Sequence, residues 1–288
     1  MGQASSQDRP STLPREILTS LQSLPFLRRV EFFMDLEPFP DEILILIFSF
    51  VPEQDLLSHC RLVSQRWKRL VDSPSLWRMK CELDYRRVTL LVAEMSHDLP
   101  WQKMYLKKPF SRNLLRNPCG TEQLNHWSVK HGGDGWRVEK SNSVLEGADS
   151  QICFVSSFGW CKKGQIIDLV REGLWEHLLD VHQPPICISD WYAGREDCSC
   201  VYSIKVQLLA ADQQTVLREF TMDPDPIPQW NDACYNQVSH EFRHYGPGVR
   251  YVNFTHKGKD MQFWKGWYGA RISNSSVTVK CDNLEPCR

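Results

Sequence analysis

The sequence predicts an α+β multidomain chain: a small all-α unit followed by an antiparallel β-sandwich. Three observations carry this. Between Leu36 and Cys81, the apolar residues Leu56, Cys60, Val63, Trp67 and Leu70 recur at spacings of four, three, four and three, which puts them on one helix face. Further on, Ile204, Val206 and Leu208 alternate with Ser203, Lys205 and Gln207, and Val277, Val279 and Cys281 with Ser276, Thr278 and Lys280, the period of half-buried strands. Turn signals crowd the same region: His131-Gly132-Gly133-Asp134-Gly135, Asp223-Pro224-Asp225-Pro226 and Gly246-Pro247-Gly248. Short strands with many turns build sandwiches.

Composition sets the limits. A chain of 288 residues, 42% hydrophobic and 24% charged, is globular and long enough for one large or two modest domains. Its 34 Lys and Arg against 35 Asp and Glu leave a net charge of -1, which argues against a nucleic-acid coat. Eleven Cys, an odd number with no secretory signal ahead of them, predict reduced thiols and a cytoplasmic protein. The longest apolar run, around Ile43–Phe48, falls far short of the roughly 20 residues of a membrane span.

In chain order, residues 1–35 read as a flexible segment. Its start, Met1-Gly2-Gln3-Ala4-Ser5-Ser6, fits an N-myristoylation pattern, making Gly2 a candidate lipidation site and membrane association a candidate property. One acyl chain attaches marginally, and Arg9, Arg15, Arg28 and Arg29 are too scattered to form a polybasic patch. Leu13–Leu18 reads as a short helix, begun by a proline followed by an acid, as at Phe39-Pro40-Asp41-Glu42. Residues 36–83 form the helical unit, interrupted at Pro52 and followed by Pro74; so short a unit needs a partner surface. Residues 84–110 read as a linker, with a basic, acid-free stretch from Lys103 to Arg116, 111–281 as the sandwich and 282–288 as a tail. Gln165–Leu179 fits either a helix or a strand with a turn. Nine of the eleven Trp fall from Trp101 onward, and Trp136, Trp191 and Trp267 are expected in the core.

The helical unit resembles an F-box. The pattern runs through Phe39-Pro40-Asp41-Glu42-Ile43-Leu44, Val51-Pro52, Asp55-Leu56-Leu57, Cys60-Arg61-Leu62-Val63, Trp67 and Leu76-Trp77. The resemblance implies docking on the Skp adaptor of a cullin–RING (SCF) ubiquitin ligase through Pro40, Ile43, Leu44, Val51, Pro52, Leu56, Leu57, Cys60 and Trp67. Residues 111–281 resemble the F-box-associated (FBA) domain of the glycoprotein-recognising F-box proteins, a jelly-roll, galactose-binding-like sandwich. The matching text is Arg112-Asn113-Leu114-Leu115-Arg116-Asn117-Pro118-Cys119-Gly120, His131-Gly132-Gly133-Asp134-Gly135-Trp136, Asp190-Trp191-Tyr192, Phe263-Trp264-Lys265-Gly266-Trp267-Tyr268-Gly269 and Asn274-Ser275-Ser276-Val277.

That second resemblance implies a site for the chitobiose core of high-mannose N-glycans on loops at one end of the sandwich. Trp264 would stack on a sugar face and Phe158 line an acetamide-methyl pocket. Asp197 would accept a hydroxyl hydrogen bond and Lys265 donate one. Phe263 stands where sugar-binding relatives often have Tyr, which removes a hydrogen bond worth about 0.5–1.5 kcal/mol. The implied role is the substrate-recognition subunit of an SCF ligase, acting on N-glycosylated proteins in ER-associated degradation. It involves no catalysis, cofactor, metal or nucleic acid. Two other roles stay open: an adaptor for a non-glycan degron, and a ligase-independent, membrane-associated lectin or scaffold.

Several motifs are decoys. His240-Glu241-Phe242-Arg243-His244 spells a zinc-protease motif, but the segment alternates like a strand, where positions four apart lie about 13 Å from each other and cannot share an ion. Cys198-Ser199-Cys200 lacks a second thiol pair. Asn253-Phe254-Thr255 and Asn274-Ser275-Ser276 are sequons by letter, read as strand or turn residues.

Overall fold

A computed structural model describes residues 36–84, 99–110 and 112–280. Gly2, the expected helix at 13–18, most of the linker, Cys281 and the tail lie outside the described residues. The chain divides into two compact units, residues 1–44 and 45–288.

Helix α1 (Asp41–Ser49) starts behind Pro40, whose carbonyl accepts from the N–H groups of Ile43 and Leu44 at 3.1 Å each. Asp41 and Glu42 complement the positive end of the helix dipole. Within the second unit, Pro52 precedes α2 (Glu53–Asp55), which continues through a π-helical turn, Leu56–Cys60, into α3 (Arg61–Val63). Ser64 then turns extended, and its Oγ accepts from Trp67 N at 3.1 Å, capping α4 (Gln65–Val71). The single apolar helix face expected from Leu56 to Leu70 is therefore split over two helices. Leu56 and Leu70 are buried, while Val63 is exposed.

Helix α5 (Pro74–Asp84) buries Leu76, Trp77 and Cys81, and Trp77 Nε1 donates to Val71 O at 2.7 Å. Its buried Lys80 donates to Ser49 O at 2.9 Å and Val51 O at 2.7 Å, satisfying carbonyls that the end of α1 leaves open. The expected linker contains a further helix, α6 (Trp101–Lys107), which packs on α5. Tyr105 OH donates to Asp84 at 2.5 Å, and the Tyr105 and Trp77 rings lie 5.6 Å apart. Beyond α6, Phe110 meets Trp175 edge-on, and Arg112 bonds to both Lys107 O and the Glu172 carboxylate.

The sandwich strands are β1 (Ser128–Lys130), β2 (Arg137–Lys140), β3 (Ile152–Val155), β4 (Cys161–Asp168), β5 (Ile186–Ala193), β6 (Cys200–Leu209), β7 (Val216–Met222), β8 (Asn236–Phe242), β9 (Tyr251–Asp260) and β10 (Arg271–Val279). They form two five-stranded sheets, ordered β1-β4-β9-β6-β7 and β2-β3-β10-β5-β8, with every pair antiparallel. Alternate residues of β9 (Val252, Phe254, His256, Gly258, Asp260) are buried, the period-two pattern of a strand with one face inward. Gln165–Leu179 proves to be the end of β4, a turn, and the approach to a second π-helical turn at Leu178–His182.

Of the three expected core tryptophans, Trp136 is buried. Trp191 and Trp267 are only half-buried, and the Arg137 guanidinium lies 4.7 Å over the Trp267 ring. β8 carries the first three zinc-protease letters, His240 to Phe242, on a strand, with His240 stacked on Phe220, and Arg243 and His244 (φ +46) lie beyond its end. Asn253 sits in β9, and Asn274 (φ +50) occupies a bulge in β10. Every described cysteine is a free thiol.

Between the sheets lies a charged cluster. Asp190 accepts from Tyr202 OH (2.6 Å), Ser275 Oγ (2.7 Å) and His256 Nδ1 (2.5 Å). Burial pushes the Asp190 carboxyl up, but these donors and nearby Lys163 together hold it below the usual range. Burial pulls His256 down to about 4, so it is a neutral imidazole donating to a carboxylate. Serine, histidine and aspartate thus meet, yet all three are sealed from solvent, and Ser275 bonds Asp190 rather than His256. The arrangement braces the core.

Candidate functional site

The antiparallel register brings five connections to one end of the sandwich: β1–β2, β3–β4, β5–β6, β7–β8 and β9–β10. All five expected ligand residues lie on them. Phe158 is on β3–β4, Asp197 on β5–β6, and Phe263, Trp264 and Lys265 on β9–β10.

The last loop is organised by a residue the sequence reading missed. Asp260 ends β9 on its inward face, is buried, and accepts from Phe263 N at 2.6 Å. Burial raises its carboxyl pKa, while loop N–H groups, led by that of Phe263, pull it back. This bond fixes Phe263 in the left-handed region (φ +58) and turns its ring outward, 70% exposed. Neighbouring Trp264 is 40% exposed and stands edge-on to Tyr268 at 5.5 Å. The visible signal for Asp260 is an acid at a position where alternation calls for an apolar residue.

Loop-to-loop hydrogen bonds hold the end together. Gln262 Oε1 accepts from Ser199 N at 3.0 Å and from the Cys198 thiol at 2.9 Å; burial keeps that thiol protonated, its pKa pushed up to about 11. Asp134 accepts from Gly266 N at 2.7 Å and donates its own N–H to Ser157 Oγ at 2.9 Å. The β1–β2 loop lies against the β3–β4 loop so closely that a Cβ on Gly132 would stand 2.4 Å from Trp160 O. That contact sets the backbone carrying half-buried Phe158.

Asp197 joins this surface indirectly. Its Oδ1 pairs with Arg195 Nε at 2.6 Å, the Arg195 guanidinium lies 4.6 Å over Tyr268, and Tyr268 supports Trp264. One carboxylate oxygen remains for a hydroxyl donor. Lys265 is exposed beside Trp264. The end therefore offers aromatic rings next to a few fixed polar groups, the combination that binds C–H faces and hydroxyls of neutral ligands.

The expected adaptor-binding residues separate by exposure. In the first unit Pro40 and Ile43 are exposed, whereas Leu44 is fully buried; in the second, Pro52 is exposed, Val51, Leu57, Cys60 and Trp67 are half-buried, and Leu56 is fully buried. Leu44 and Leu56 are thus core residues, without surface to offer a partner. Phe50 (72% exposed) and Leu62 (80%), with Leu46 and Val63, are exposed apolar side chains outside the expected set.

Comparison with known proteins agrees with both halves. Residues 39–82 match the F-box-like family and residues 105–279 the F-box associated region. The chain is 45% identical over 257 residues to F-box only protein 27 of Mus musculus, covering 86% of this chain and 91% of that protein. It is 46% identical over 249 residues to F-box only protein 6 of Bos taurus (83% and 91% covered), and 43% over 254 residues to F-box only protein 2 of the same species (85% and 84%). The chain belongs to the F-box only proteins that carry an F-box associated region.

Proposed function

We propose that the protein is the substrate-recognition subunit of an SCF ubiquitin ligase, selecting N-glycosylated proteins through the loop end of its sandwich. The helical unit would hold the Skp adaptor and, through it, the cullin–RING scaffold. The loop end would hold the chitobiose core of a high-mannose glycan. The protein itself makes and breaks no bonds; it raises the local concentration of target lysines near the ligase. Its targets are N-glycoproteins that reach the cytosol, as in ER-associated degradation.

The carrying observation is Trp264, half-presented on a loop fixed by Asp260 and buttressed by Tyr268. An exposed ring held this firmly is a platform for a sugar face, with Asp197 and Lys265 supplying polar contacts and Phe158 an apolar wall. The test is pull-down of a high-mannose glycoprotein by the full chain. Retention lost after glycosidase removal of the glycan, and lost with Trp264→Ala, is the expected result. Retention of the deglycosylated protein would favour a polypeptide degron instead.

A further inference from the structure

The outer face of the sheet β1-β4-β9-β6-β7 carries a second feature that the core-sugar site does not use. Lys130 on β1 lies directly opposite Lys162 on β4, and Lys162 directly opposite Lys257 on β9. Three ammonium-bearing side chains therefore sit side by side on adjacent strands, about 5 Å apart at each step. Like charges placed directly opposite each other destabilise a sheet. None of the three has an ion-pair partner among the described residues, and Lys259, two residues along β9 on the same face, has none either. Such a row is best accounted for by an anion that bridges it.

The row touches two further features. Lys130 and Lys162 border an open groove of about 730 Å³ that also takes in Arg116, Arg171, Asn253 and Thr255. Its acids are partly occupied: Glu172 pairs with Arg112 and Arg116, and Asp168 accepts from Arg171 N. In the other direction the row leads to the loop end. The Lys257 and Lys259 ammonium groups lie 4.6 and 5.2 Å over the ring of Trp160, which is 44% exposed. Lys259 also lies 5.6 Å from the Phe263 ring. Steps of 5–6 Å thus connect the sugar platform to the lysine row through one exposed indole.

We propose that the Lys130–Lys162–Lys257 row is an anion subsite for a phosphomonoester carried on an outer arm of a glycan whose core occupies the loop end. A compact group of charge about -1.5 to -2 with three acceptor oxygens can bridge neighbouring ammonium groups, which a lone carboxylate does less well. Trp160 gives an intervening sugar ring a surface to lie on. The proposal rests on the glycan reading above, and extends it to charge-bearing glycans.

The test measures affinity of the full chain, co-purified with its adaptor, for an oligomannose glycan with its chitobiose core, with and without a phosphomonoester on an outer mannose. The phosphorylated form is expected to bind roughly tenfold more tightly. That advantage should shrink in high salt. Lys130→Gln/Lys162→Gln should erase it while leaving affinity for the neutral glycan unchanged, and Trp264→Ala should weaken both glycans. Equal affinity for the two glycans, or an advantage that survives the double variant, overturns the subsite and leaves the core reading standing. Lysine-dependent binding of the phosphorylated glycan that ignores Trp264→Ala supports the subsite and overturns the core reading. Lysine-dependent binding to phosphoinositide-containing vesicles, with no preference between the two glycans, overturns the proposal in favour of a membrane surface.

Discussion

At the scale of single residues, Phe263 makes the sharpest prediction about the proposed sugar site. It keeps an exposed ring beside Trp264 but has no hydroxyl to offer. Phe263→Tyr is expected to tighten binding of a chitobiose-core glycan by about 0.5–1.5 kcal/mol, roughly two- to tenfold, in a calorimetric titration. Lys163 makes another. It is fully buried among Trp127 and Phe154, its Nζ has no hydrogen-bond partner, and burial holds its pKa well below the ordinary lysine value. Replacing a poorly satisfied buried ion by an apolar side chain of similar shape often stabilises, by about 1–4 kcal/mol. Lys163→Met is thus expected to raise the thermal midpoint; a fall would mean that its charge is needed to hold Asp190.

At the scale of elements, the β9–β10 loop depends on one carboxylate. Asp260→Ala should leave Phe263, Trp264 and Lys265 in the chain but free their backbone. The outcome expected is faster amide exchange confined to 261–264, with glycan affinity lowered by about 1–3 kcal/mol. Unchanged exchange would show that Gln262 and Asp134 suffice. In the helical unit, Leu62→Asp should abolish co-purification with the adaptor while leaving the unfolding free energy within about 0.5 kcal/mol of wild type, since Leu62 is exposed. Loss of stability instead would place Leu62 in the fold rather than at an interface.

These elements differ in how far sequence could foresee them. Strand β9 follows throughout the strict alternation that burial of one face imposes, β6 follows it from Ile204 to Leu208, and proline marks the starts of α1 and α5. The five loop residues were reached by resemblance, because a loop has no period to read. Ser64 was missed since a stripe of spacings three and four looks the same whether or not one residue between them turns extended. Helix α6 was missed because basic residues masked the buried face made by Trp101, Met104 and Tyr105. Leu44 and Leu56 belong to the F-box pattern, but a pattern does not separate residues that shape a surface from those that touch across it.

At the scale of the whole molecule, the buried cluster ties stability to pH. His256 is held near 4 in the fold against 6.5 when unfolded, so between those values the unfolded chain binds more protons. Stability from this group is complete above about pH 6.5 and is lost as pH falls towards 4. Chemical denaturation followed from pH 7 to pH 4.5 should show a steady decline, flattened by His256→Gln. An unchanged slope in that variant would assign the loss to other groups.

The run from α5 through α6 to Phe110 and Arg112 bears on what happens after a substrate is held. Each step along it is a ring contact, a hydrogen bond or an ion pair, from Trp77 and Tyr105 to Glu172. A slack tether would let a bound target sweep a wide volume, and almost any of its lysines could find the ligase. A braced joint would work as a fixed-length ruler: under the proposed function, the glycan's place on the target would decide which lysines come within reach. Two glycoproteins of equal affinity would then be modified at very different rates, according to where their sugars stand.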